Sequence, residues 1–127
     1  MGKKPLEPIT ESMFYVLLCL HYKNMYGTEI ADHVRQLTND RVKLGPGTLY
    51  AILSTFETEK VIVRFSQEGR RVTYRITDKG ERVYSAELQR LRKCLADAQR
   101  DLSMIMVAKT EENPEMMKGI AGEPVMG

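Results

Sequence analysis

Four arginines crowd into one short stretch of the chain. Arg64, Arg70, Arg71 and Arg75 face a single acid, Glu68, between positions 64 and 75. Guanidinium groups without matching carboxylates are suited to holding phosphate, because each offers a planar fork of donors to two oxygens at once. A merely solvated hairpin would carry the same charges, so a second feature has to decide between the two readings. That feature lies in residues 46–59, where Leu49, Ile52, Leu53 and Phe56 recur at helical spacing. Opposite this stripe stand Gly47, Ala51 and Ser54. An ordinary solvated helix face is filled with Glu, Lys or Gln, whereas small residues let the helix backbone approach another surface closely.

Other chemistries find no residues to carry them. Cys19 and Cys94 are too few for a disulfide scaffold and lack metal-ligand spacing, so both are expected to be free thiols. His21 and His33 have no partners at zinc-site spacing. Gly45-Pro46-Gly47 is not followed by the Lys-Ser/Thr of a phosphate-cradling loop, and no nucleophile–base set is apparent. No catalytic residue, metal or cofactor is therefore expected, and the chain does not read as an enzyme.

The elements that must position these residues follow from periodicity. The 127 residues are enough for one core, and the apolar run from Met13 to Tyr22 is about half of what a bilayer span needs. No apolar segment follows Lys3 and Lys4, so no export signal is expected and the location implied is cytoplasmic. A helix is predicted over 10–23, with Thr10 as N-cap and Glu11 in its first turn, then a break over 23–27. A second helix starts at Tyr26 or Gly27 and runs to Leu37, with Ile30, Val34 and Leu37 inward. Thr38-Asn39-Asp40 is a turn, and Pro46 suits the first position of the third helix. Residues 61–65 and 72–76 are rich in β-branched and aromatic side chains and read as a hairpin with a polar connector.

Thr77-Asp78 then caps a long helix. Tyr84, Leu88, Leu91, Leu95, Ala98, Leu102 and Ile105 follow one another at alternating spacings of four and three, a heptad pattern that predicts helix–helix association. Cys94 adjoins that seam, and Tyr74 belongs to the core side of its strand. After Lys109 no apolar periodicity remains, so the tail is expected to be disordered. The organisation read from the sequence is thus 1–77 as a DNA-binding domain, 78–108 as a dimerisation helix and 109–127 as a tail.

The order α-α-α-β-β-α places the chain in a mainly α (α+β) class, a winged helix-turn-helix with a long C-terminal helix. In that arrangement the third helix enters the major groove with Gly47, Thr48, Tyr50, Ala51, Ser54 and Thr55. Lys43, Arg64, Arg70 and Arg71 would then meet phosphates or, at the hairpin tip, the minor groove. Tyr50 serves equally as a base contact, a phosphate contact or a residue at the core edge. Net charge is only +2, but residues 1–82 carry +3 and residues 83–127 carry −1, so the balance hides a local basic patch.

The segment Tyr26-Gly27-Thr28-Glu29-Ile30, followed by residues 44–53 (Leu-Gly-Pro-Gly-Thr-Leu-Tyr-Ala-Ile-Leu) and 70–80 (Arg-Arg-Val-Thr-Tyr-Arg-Ile-Thr-Asp-Lys-Gly), resembles the signature of PadR-type transcriptional regulators. The similarity covers roughly residues 9–106, and its single final helix is similar to the short-form members. The resemblance implies a bacterial homodimer on double-stranded DNA with a roughly palindromic operator, usually a repressor, released by a small hydrophobic or aromatic effector. By analogy, an effector cavity would be lined by Met13, Phe14, Leu17, Leu91 and Leu95. Some short-form members hold flat aromatic drugs between tryptophans, and this chain has none. The contrasting expectation is a winged-helix protein-interaction module that uses its heptad helix to join a complex without binding DNA.

Overall fold

Thr10 opens the first helix by accepting a hydrogen bond from the Met13 N–H at 3.1 Å, one of the donors a helix start leaves unpaired. In the computed structural model, which describes residues 9–112, this helix is α1 (Glu11–Tyr22). It is followed by β1 (Met25–Tyr26), α2 (Gly27–Leu37), α3 (Pro46–Thr58), β2 (Ile62–Glu68), β3 (Arg71–Ile76) and α4 (Asp78–Glu112). The chain divides into two units, one ending at Leu88 and one beginning at Gln89.

The first unit is a winged helix-turn-helix, mainly helical with a small antiparallel sheet in the order β1-β3-β2. Its core gathers Val16, Leu17 and Leu20 of α1, Ile30 and Val34 of α2, the Leu49, Ile52, Leu53 and Phe56 stripe of α3, and Tyr74 of β3. Between α2 and α3 the chain reverses through Asn39 and Asp40, both at positive φ, a conformation that Asn and Asp tolerate better than most side chains. Thr38 locks this turn: its hydroxyl donates to the Val34 carbonyl at 2.8 Å and accepts from the Val42 N–H at 3.0 Å.

Several details depart from the sequence reading. The break expected over 23–27 contains β1, which pairs Met25 with Tyr74 and Tyr26 with Thr73. The polar connector expected between the hairpin strands is a tight reversal at Gly69-Arg70, with β2 extended to Glu68 and β3 beginning at Arg71. Gly69 supplies the positive φ that the first central position of such a turn requires. Phe65 sits in a bulge between Arg64 and Ser66, without a partner on β3. Leu37, expected inward, is exposed because α2 ends there beyond the core. Helix α4 continues to Glu112, so residues 109–112 are helical; the rest of the expected tail lies outside the described residues.

The junction of α3, the hairpin and α4 is tied by one side chain. The Thr77 hydroxyl donates to the Lys60 carbonyl at 2.8 Å and accepts from the Gly80 N–H at 3.0 Å, while the Thr77 N–H donates to the Val61 carbonyl at 3.0 Å. Gly80 is required there because a Cβ would collide with the Val61 backbone oxygen. On the other side, an aromatic ladder holds the start of α4 to α1. Tyr84 stacks on Phe14 at 5.5 Å and on His21 at 4.6 Å, and His21 Nδ1 lies 2.7 Å from a Glu81 carboxylate oxygen.

This packing has consequences for stability. Gly80→Ala should lower it by about 1–3 kcal/mol, the usual cost of overpacking against rigid backbone, read as a drop in Tm on thermal unfolding. Burial pushes the Cys19 thiol up to about 12 from its ordinary 9.0. The folded chain therefore holds that proton more tightly than the unfolded chain does. The stability this contributes is complete below pH 9 and is lost as pH rises from there toward 12. Cys19→Ala should flatten that alkaline decline in denaturation midpoints, and at pH 8 a thiol reagent should titrate only the exposed Cys94 in the folded protein.

Candidate nucleic-acid interface

Because α3 turns Leu49, Ile52, Leu53 and Phe56 into the core, its opposite side must face solvent. Gly47, Thr48, Tyr50, Ala51, Ser54 and Thr55 are all exposed, Tyr50 by 50 %. Pro46 begins the helix where a missing N–H costs nothing, and the Gly45 carbonyl accepts from the Leu49 N–H at 2.9 Å. The face so presented carries hydroxyls and methyls but no charge.

Beside it lies a cleft of about 300 Å³, walled by Tyr26, Gly27 and Thr28 at the start of α2, by Tyr50 and Tyr74, and by Arg70, Arg71 and Val72 of the wing. Two contacts shape it. The Arg71 guanidinium lies 4.3 Å from the centre of the Tyr26 ring, a cation–π placement that keeps the charge over the cleft wall. Gly27 makes room for Tyr50: a Cβ on residue 27 would stand 2.6 Å from the Tyr50 hydroxyl oxygen. The start of α2, with the first N–H groups of the helix and the positive end of its dipole, belongs to the same wall. Part of that field is taken up by Glu29, whose carboxylate accepts from the Tyr26 N–H at 3.1 Å and stands 3.8 Å from Lys23 Nζ. Among the described residues, Lys43, Arg70 and Arg71 form no ion pair. Two guanidiniums outside any ion pair, a helix start and a phenolic hydroxyl can together hold one oxyanion.

The expected site residues separate into groups. Arg70 and Arg71 share the cleft with Tyr50, and Lys43 is exposed in the segment before α3. Arg64 is committed elsewhere: its Nε donates to the Glu57 carboxylate at 2.9 Å, and that hydrogen bond and charge raise its pKa. Arg75 leans over Phe65 at 5.8 Å rather than toward the cleft. Burial also raises the Tyr74 pKa, with the Glu57 charge adding to it, so this phenol stays neutral in the wall. Tyr26, Gly27 and Thr28 went unassigned in the sequence reading, although the pairing of a glycine at a helix start with Glu29 three residues after the N-cap marked that terminus.

The residues expected to associate also divide. Tyr84 is buried in the first unit and Leu88 packs against its core, so these two heptad positions are used within the chain. In the second unit Leu91, Leu95, Ala98, Leu102 and Ile105 are exposed, Leu95 by 58 % and Leu102 by 60 %. Of the residues expected to line an effector cavity, Leu17 is fully buried and Met13 and Phe14 pack partly buried against the core. Leu91 and Leu95 belong to the exposed repeat. No helix among the described residues is long and apolar enough to cross a membrane, and none of their His, Cys, Asp and Glu side chains group to hold a metal.

Comparison with known proteins bears on this arrangement. A sequence model of the transcriptional regulator PadR-like family matches residues 16–86. An uncharacterized protein of Lysinibacillus sphaericus is 34 % identical over 77 residues, covering 58 % of this chain and 70 % of that protein. The structure of a transcriptional regulator from Clostridium thermocellum superposes with a TM-score of 0.64 at 24 % identity, over 69 % of this chain and 89 % of that one. A PadR family transcription regulator from Clostridium difficile gives 0.64 at 23 % identity, over 73 % and 99 %. These two likenesses establish the fold.

The Gly27–Tyr50 contact generates a specific expectation. Gly27→Ala should displace the phenol, which is the movable end of a side chain, and leave the core intact. The Tyr50 ring resonances should therefore shift in NMR spectra while Tm changes by only a few degrees.

Proposed function

The chain belongs to the PadR-like family of transcriptional regulators, and on that premise we propose that it is a homodimeric, sequence-specific DNA-binding repressor relieved by a small-molecule effector. The observation that carries this reading is the uncharged, exposed face of α3 lying beside a cleft with two unpaired arginines. Large side chains on such a face would hold the helix off a surface, and its small ones permit entry into the major groove. The cleft is suited to a backbone phosphate at the groove edge, with Arg70 and Arg71 supplying charge and Tyr50 and the start of α2 supplying donors. This assigns Tyr50 to phosphate rather than to a base.

The exposed heptad of α4 supports pairing of two copies. Two recognition helices then address half-sites about one helical turn apart, which makes the operator roughly palindromic. The effector part of the reading rests on what the family resemblance implies, and its ligand class is small and hydrophobic or aromatic.

Selection of bound duplexes from a random pool tests the reading as a whole: a two-fold symmetric motif is expected, and recovery of no sequence above background would reject it. On the selected duplex, log affinity should fall steeply with log salt. Arg70→Ala/Arg71→Ala should reduce that slope by about one for each phosphate left without its arginine. Leu95→Glu/Leu102→Glu should sediment as a monomer and bind the duplex about 100-fold more weakly or worse, because the second half-site no longer benefits from the first. A variant that sediments as a monomer with unchanged affinity would separate DNA binding from dimerisation.

A further inference from the structure

The thirteen residues of α3 include no arginine, lysine, histidine, asparagine or glutamine. Its one acid, Glu57, is held by Arg64 at 2.9 Å. This inventory limits what the helix can read. In the major groove guanine is distinguished by Arg or Lys on O6 and N7, and adenine by Asn or Gln on N6 and N7; both need side chains that α3 lacks. Its hydroxyls can bond to almost any base edge and discriminate little.

What α3 does present is carbon. Thr48, Ala51 and Thr55 stand at i, i+3 and i+7, one row along the exposed side, and each ends in a methyl. The only base-pair group in the major groove that rewards apolar contact is the 5-methyl of thymine. Gly47 and Ser54 flank the row and keep it free of larger side chains that would hold it away.

Given that the protein binds DNA as read above, we propose that its sequence preference resides in thymine 5-methyl groups packed against Thr48, Ala51 and Thr55. The operator half-sites are accordingly rich in A·T pairs beneath α3. Lys43 and the wing arginines add affinity through phosphates without choosing those bases.

The test uses the duplex selected from the random pool, with each thymine replaced in turn by deoxyuridine, which removes one methyl and leaves every hydrogen bond in place. At one or more thymines in each half-site, affinity should fall about fourfold, the burial value of a single carbon, with the salt slope unchanged. Thr48→Ser/Thr55→Ser keeps both hydroxyls on exposed positions and should fold normally. It should bind the thymine duplex more weakly and lose part of the thymine-over-deoxyuridine preference. Equal affinity for the substituted duplex at every position would overturn the proposal, as would half-sites without thymine; in both cases DNA binding itself would stand. Absence of salt-dependent binding to the unsubstituted duplex would remove the functional reading and this inference together.

Discussion

The first unit depends on the burial of one stripe. Leu49, Ile52, Leu53 and Phe56 bring α3 into contact with the core, and Phe56 is fully buried. Each such side chain contributes roughly 1.5–3 kcal/mol relative to exposure. That commitment fixes the rotation of α3 about its axis. Once these four side chains point inward, Gly47, Ala51 and Ser54 must point out, and no other element covers them. The face that meets DNA in the proposed function is therefore set by packing on the opposite side of the same helix.

A second set of contacts places the wing relative to that helix. Thr77 ties the ends of α3, β3 and the start of α4 through three short hydrogen bonds. β3 sits between β1 and β2, so a displacement of the wing would break pairing on both of its edges. Arg71 lies at the first residue of β3 and stacks on Tyr26, the residue that precedes α2. Wing arginine, α2 start and α3 tyrosine are thereby assembled from three elements around a single cleft. In the proposed function the neutral face and the charged cleft divide the work: one would permit close approach, and the other would supply attraction that salt can screen.

The helices and the hairpin were legible because their apolar positions repeat with periods of 3.6 and 2, a signal contained within each segment. What escaped involves partners distant in sequence. β1 is two residues long and exists through its pairing with Tyr74 and Thr73, which no local pattern in Met25-Tyr26 announces. Arg64 carries the same charge as Arg70, yet it is drawn to Glu57 on another element. The heptad reads as uniform from Tyr84 to Ile105. Its first two positions are nevertheless captured by the core through Phe14 and its neighbours, and only the later ones stay exposed. The cleft residues Tyr26, Gly27 and Thr28 became a site only when β3 brought Arg71 beside them.

NMR titration of the full chain with the selected operator duplex tests the central claim most directly, because every backbone amide reports separately. Shifts are expected to concentrate on the exposed side of α3, on residues 26–28 and on Arg70 and Arg71, with the exposed apolar positions of α4 unchanged. Shifts confined to α4, or spread evenly over basic residues without favouring α3, would contradict the account.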